Sequence, residues 1–160
     1  MGSNNEIREA KAGDAVEIHG LACELAETVG DTPPTEEAAR ERLKELLDEP
    51  RARVFVVENE SGVVGVVSFW IKPDLAHGDV VVEVPMLAVA EDHRRTGVGK
   101  LLMEEVRNVA ADNGAYLIEL VATSSNVAAR EFYSSLGFIE ADVVPLEFVG
   151  SQEDPPDPDE

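Results

Sequence analysis

The segment Leu87–Leu102 constrains this chain more than any other. An apolar run ending Leu87-Ala88-Val89 passes through Glu91 to Arg95 into Thr96-Gly97-Val98-Gly99-Lys100, and from there into an amphipathic helix. A strand that enters a glycine-containing turn and leaves as a helix aims several unpaired backbone N–H groups at one point, where the helix dipole adds partial positive charge. Such a point favours a phosphate. Arg94, Arg95 and Lys100 also form the densest basic island in a chain of 33 acidic and 13 basic residues. Two common nucleotide patterns fail here. A Walker A loop needs glycine where Arg94 stands and Ser or Thr where Leu101 stands, and a dinucleotide loop needs Gly or Ala where Leu102 stands. Taken alone, the turn reads equally well as a tight structural connection.

Around this segment the pattern is that of one mixed α/β domain over residues 1–150, with 160 residues enough for a substantial core. Ile7 to Ala10 reads as a strand and Asp14 as the N-cap of a helix over Ala15 to Thr28. Thr35-Glu36-Glu37-Ala38 opens a second helix that stops before Pro50. The β-branched runs Val54 to Glu58 and Val63 to Ile71 flank Asn59-Glu60-Ser61-Gly62, a hairpin signal, and Lys72 to Gly78 reads as a loop. Val80 to Val89 is the next strand, with a bulge expected at Pro85 because proline removes a ladder donor. A helix over Lys100 to Asn113, a strand over Tyr116 to Ala122, a helix over Val127 to Leu136 and one or two strands over Phe138 to Val149 complete the order. Residues 151–160 hold three prolines, five acids and no large apolar side chain, which predicts a disordered tail.

A net charge of −20 argues against a nucleic-acid partner, whose phosphates such a field repels. It fits either a salt-adapted surface, since high salt screens self-repulsion, or a protein that attracts cationic substrates. The single Cys23 cannot pair within its chain and sits on an apolar helical stripe, which suits a core residue in a reducing cytoplasmic setting. No leader or membrane-spanning run is legible. His19, His77 and His93 are scattered without ligand spacing, so no metal is expected.

Two spaced motifs remove the ambiguity of the glycine turn. Arg94-x-x-Gly97-x-Gly99 after a strand, followed by Asn126-x-x-Ala129-x-x-x-Tyr133-x-x-x-Gly137-Phe138, resembles the GNAT family of N-acetyltransferases. The resemblance covers about Glu6 to Phe148 by element order and implies a single-domain mixed sheet with helices on both faces. In that fold the strands Val80 to Val89 and Tyr116 to Ala122 would run parallel and splay apart, forming an acyl-CoA cleft. Acetyl-CoA would lay its arm along Leu87 and Val89 and its pyrophosphate on the N–H groups of Arg94, Arg95, Thr96, Gly97, Val98, Gly99 and Lys100.

The reaction this implies has an amine attacking a thioester, and a free alkylamine with a pKa of about 10.4 must first lose a proton. Glu83 would be the base, as a glutamate on this strand is in relatives, although a strand-flank Glu in an acidic chain also reads as solvated. Glu119 on the neighbouring strand is the competing candidate, with alternation favouring a surface role. A backbone N–H around Pro85 to Leu87 would hold the oxyanion. Tyr133 would act as general acid toward the leaving thiolate, or else be a core aromatic beside Phe132. Asn126 would bond the pantetheine, or else cap its helix. The expected activity is transfer of acetyl to a primary amine of a small molecule or protein, with an acyl-CoA sensor without turnover as the alternative. The acidic body favours a cationic acceptor, and pairing into a homodimer would cover the apolar run Phe138 to Val149.

Overall fold

The computed structural model of the chain describes residues 4–148. Five strands, β1 (Glu6–Glu9), β2 (Ala52–Asn59), β3 (Gly62–Asp74), β4 (Asp79–Val89) and β5 (Leu117–Leu120), form one sheet in sequence order. Neighbours are antiparallel through β4, and β4 pairs parallel with β5. Helices α1 (Ala15–Val29) and α2 (Glu36–Asp48) pack on one face; α3 (Val98–Asp112), the crossover that a parallel pair requires, and α4 (Val127–Ser135) pack on the other. Burial on both faces explains the nearly unbroken valine runs of β2 and β3.

Several local signals act as the residues require. Thr35 Oγ1 accepts the Ala38 N–H at 3.1 Å and starts α2. The turn Asn59–Gly62 joins β2 to β3, with Gly62 at a φ of 98° that favours glycine. Asp14 holds the expected N-cap position of α1, but its carboxylate makes no capping bond to the helix. It grips Arg8 bidentately at 2.8 and 2.9 Å and accepts the Lys11 N–H. That pair holds Asp14 at 6% exposure, and the Arg8 contact keeps its pKa below the usual carboxylate range.

The expected irregularity at Pro85 is present. Ser68 pairs with Met86 and Trp70 with Glu83, so Val84 and Pro85 together oppose Phe69. An extra residue exchanges the two faces of the strand. Before the bulge Val82 and Val84 face the α3 core, and Val81 and Glu83 face the other way. After it Met86 and Ala88 join the α1–α2 core, while Leu87 and Val89 turn to the α3 side.

Some expected boundaries move. β3 continues through Lys72 and Pro73 to Asp74, shortening the loop to residues 75–78. α3 begins at Val98 rather than Lys100, and β5 keeps only four residues, because its pairing ends at Val84 with Leu120. No strand forms over 138–148. There Ile139 and Leu146 stand 89% and 92% exposed, and a segment that buries so little cannot offset the entropy of an ordered strand. Val149 and the acidic tail 151–160 lie outside the described residues.

Candidate active site

Beyond Val84, no strand among the described residues pairs with β4 on the β5 side. The chain leaves β5 for the turn before α4, and the gap widens into a cleft of about 540 Å³. Leu87, Ala88 and Val89 of β4 form one wall; Asn126, Ala129, Phe132 and Tyr133 of α4 form the other. Arg94, Arg95, Gly97, Gly99 and Lys100 close its end.

That end is shaped by backbone. Arg95 has a φ of 64° and Gly97 one of 90°, so two left-handed residues precede a helix whose N-cap, Gly97, offers no side chain to its free N–H groups. Left-handed residues in such a turn draw successive N–H groups into an anion-binding concavity. A non-glycine residue there costs roughly 1–3 kcal/mol, strain of a kind that collects at ligand sites. No acid lies in the first turn of α3 to compete.

The two glycines of the loop differ in purpose. A Cβ on Gly97 would meet nothing within 4 Å, so its requirement is conformational. One on Gly99 would stand 3.0 Å from Phe132 Cζ, so Gly99 lets α4 lie close against α3. Thr96 and Val98 are not in the cleft wall. Thr96 Oγ1 donates to the His93 carbonyl, and the Val98 side chain is buried in the core, leaving each only its backbone to offer.

Tyr133 lies in the cleft wall with its ring edge-on to Phe132 and Phe138, at centroid distances of 5.1 and 5.7 Å. Burial alone pushes its pKa up to about 12, so the hydroxyl stays protonated. Asn126 Oδ1 accepts the Ala129 N–H at 3.2 Å and caps α4, which leaves its amide nitrogen as the group available to the cleft.

Glu83 is not in the cleft wall: it precedes the bulge, with its side chain on the α1–α2 side of the sheet. Lys72 Nζ sits 2.7 Å from Glu83 Oε2, the two side chains being 47% and 39% exposed. A pair this open to water is worth at most about 1 kcal/mol. Glu119 stands directly across from Glu83 in the parallel register, and Trp70 across from it on β3.

Four contributors escaped sequence reasoning. Leu25 and Thr28 bring the end of α1 to the cleft, and nothing in a helical stripe announces a ligand. Lys72 meets Glu83 only through a register across β3 and β4. Gly65 was detectable, as a glycine inside a strand marks a close approach. A Cβ there would stand 2.6 Å from Val98 Cγ1, so its absence seats the start of α3 on the sheet.

Comparison with known proteins agrees with this architecture. An aminoalkylphosphonate N-acetyltransferase of Salmonella typhimurium is 26% identical over 133 residues, 83% of this chain and 84% of its own length. A solved transcriptional regulator from Bacillus halodurans superposes with a TM-score of 0.81 at 21% identity, covering 91% of this chain and 99% of its own. An aminoglycoside N-acetyltransferase solved in complex with CoA gives 0.79 at 20% identity, covering 93% and 97%. The model of the Acetyltransferase (GNAT) family matches residues 16–138, a span that takes in the bulged strand, the glycine turn and α4. With the splayed strands and both motifs inside that span, the chain belongs to the GNAT family of acetyltransferases.

Proposed function

We propose that the chain transfers acetyl from acetyl-CoA directly to a primary amine of a small molecule or protein while both are bound. The observation that carries this reading is the bulge at Val84–Pro85: past it Leu87, Ala88 and Val89 line the cleft, and just before it stands Glu83, outside the cleft wall. Two reactants held on either side of the bulge along β4 can meet there without an acyl-enzyme.

The residues present fit an acyl-CoA. The cleft volume lies in the range of small-molecule sites. The strained turn at Arg95–Gly97 offers N–H groups and two arginines to phosphate oxygens, and the unpaired side of Met86–Val89 offers backbone to an extended amide arm. Acetyl-CoA supplies the thioester.

Glu83 accepts the proton of the acceptor ammonium, directly or through water, because only the neutral amine can attack. As the nitrogen bonds to the carbonyl carbon, a backbone N–H at Met86 or Leu87 donates to the developing oxyanion. The Tyr133 hydroxyl donates to the sulfur as the C–S bond breaks, so its proton passes to the thiolate; the nitrogen of the collapsing intermediate gives its second proton to solvent, and solvent reprotonates Tyr133. The products are the N-acetylated amine and CoA thiol. A sensor that binds without turnover has no use for a protonated hydroxyl in the cleft, which favours the enzyme. The relative named for aminoalkylphosphonates supports a small acceptor.

Thermal unfolding with and without acetyl-CoA, in dilute buffer and in molar KCl, tests this first. Ligand at 100 times its dissociation constant should add about 2.7 kcal/mol of apparent stability. No shift in either salt would remove the acetyltransferase reading, whereas a large gain from KCl alone would assign the acidity to salt adaptation.

A further inference from the structure

The acceptor side of the sheet carries a charge order that the bulk acidity conceals. Across three neighbouring strands on one face stand Lys72 of β3, Glu83 of β4 and Glu119 of β5: one cation followed by two carboxylates. Lys72 pairs in register with Val81 and Trp70 with Glu83, so the cation reaches the carboxylate on a diagonal, where the two side chains meet at 2.7 Å. Trp70, half-buried and paired in register with Glu83, lies on the same face.

We infer that the acceptor is a zwitterionic small molecule, a primary amine carrying an acidic group a few bonds away, and that Lys72 selects it by holding the acid. This rests on the acetyltransferase reading and narrows it. Lys72 Nζ occupies Glu83 Oε2 at 2.7 Å in the free protein, so any acceptor amine reaching Glu83 must share or displace that ammonium. A purely cationic acceptor meets a like charge there. A zwitterion instead gives Lys72 a replacement partner as its amine takes Glu83, so the exchange conserves both charge pairs. The half-exposed setting of the pair makes the exchange cheap in desolvation. The order also orients the ligand: the acid on the β3 side, the amine on the β4–β5 side where the strands part and the thioester would lie. A molecule bound the other way round would set its acid between Glu83 and Glu119. The net charge of −20 draws cations to the whole surface, but at this position Lys72 decides.

The experiment uses three amines of equal chain length, β-alanine, propylamine and diaminopropane, with acetyl-CoA, scored by CoA release and by mass of the acetylated product. In the wild-type protein kcat/KM for β-alanine should exceed that for propylamine by about tenfold or more, with diaminopropane lowest. Lys72→Met should collapse the ratio of β-alanine to propylamine toward unity, chiefly through KM, and Lys72→Glu should invert the order in favour of diaminopropane. Lys44→Met, an exposed lysine on α2, should leave the ratio as it is. Preference for propylamine or diaminopropane in the wild-type protein, or a ratio unmoved by either Lys72 substitution, would overturn the inference. Stabilisation by acetyl-CoA with none of the three amines acetylated would overturn it too while leaving the donor site intact. Absence of any acetyl-CoA binding would instead remove the transferase reading on which it stands.

Discussion

Phe132 lies against Gly99 so closely that one added carbon on the glycine would come within 3.0 Å of the ring. Gly99→Ala therefore sets two effects against each other. Alanine in the first turn of α3 gains up to about 1 kcal/mol of helix propensity, and the ring, with Tyr133 beside it, must shift to make room. Stability should change by under about 1 kcal/mol while acetyl-CoA affinity falls about fivefold or more, because the α4 wall moves. Gly20→Ala in α1, with nothing within 4 Å of the new carbon, should simply stabilise by about 0.5–1 kcal/mol. Calorimetric binding and urea unfolding of both variants separate packing from propensity.

Tyr133→Phe should lower kcat by about 100-fold or more, the usual scale of a lost general acid, with little change in acetyl-CoA affinity. The hydroxyl titrates near 12 in the folded protein against 10.0 for an ordinary tyrosine. Its pKa is raised on folding, so the native state holds the proton longer. The contribution to stability is whole below about 10 and is lost as pH rises toward about 12. Alkaline unfolding of wild type and Tyr133→Phe should diverge only in that window, and an ionisation of Tyr133 near neutrality, seen by ultraviolet difference, would contradict the burial.

Arg95 combines charge with a left-handed backbone, and two substitutions distinguish them. Arg95→Ala keeps the strain and loses the guanidinium, while Arg95→Gly loses both and should recover about 1 kcal/mol of stability relative to alanine. Acetyl-CoA affinity should fall in both and fall more steeply with salt in the wild-type protein than in either variant. Equal stability of the two variants would mean that the turn is unstrained.

Asp14→Asn should destabilise by about 2–3 kcal/mol at neutral pH, since it leaves Arg8 half-buried with only Glu58 at 2.6 Å for company. Arg8 lowers the folded pKa of Asp14 below its ordinary 3.8, so this contribution is present above that pH and lost as pH falls through the lower folded value. The gap between wild type and variant in urea midpoint should therefore close in strong acid and persist at pH 5.

What the sequence made legible is what its neighbours in the chain decide. The cap at Thr35, the turn at Asn59–Gly62, the bulge at Pro85 and the cleft wall at Arg94–Lys100 each depend on a few adjacent residues. Asp14 holds the N-cap position the sequence predicts, but its carboxylate turns to Arg8, on the strand before it, a stronger partner than a helix N–H. The pairing of Lys72 with Glu83 depends on a register that itself slips at the bulge, so no spacing in the chain encodes it. The apolar alternation of residues 138–148 promised strands, but alternation specifies a strand only where a partner edge is within reach.

The exchange of faces at Val84–Pro85 also partitions how such a chain can diversify. In the proposed reaction the residues that would read the acceptor, such as Lys72 and Glu83, lie outside the cleft wall, and those that would grip the donor, such as Leu87 and Arg95, form it. Drift in one set can retarget the catalyst while the other stays fixed, so substrate choice becomes a module that mutation can rewrite without relearning how to hold coenzyme.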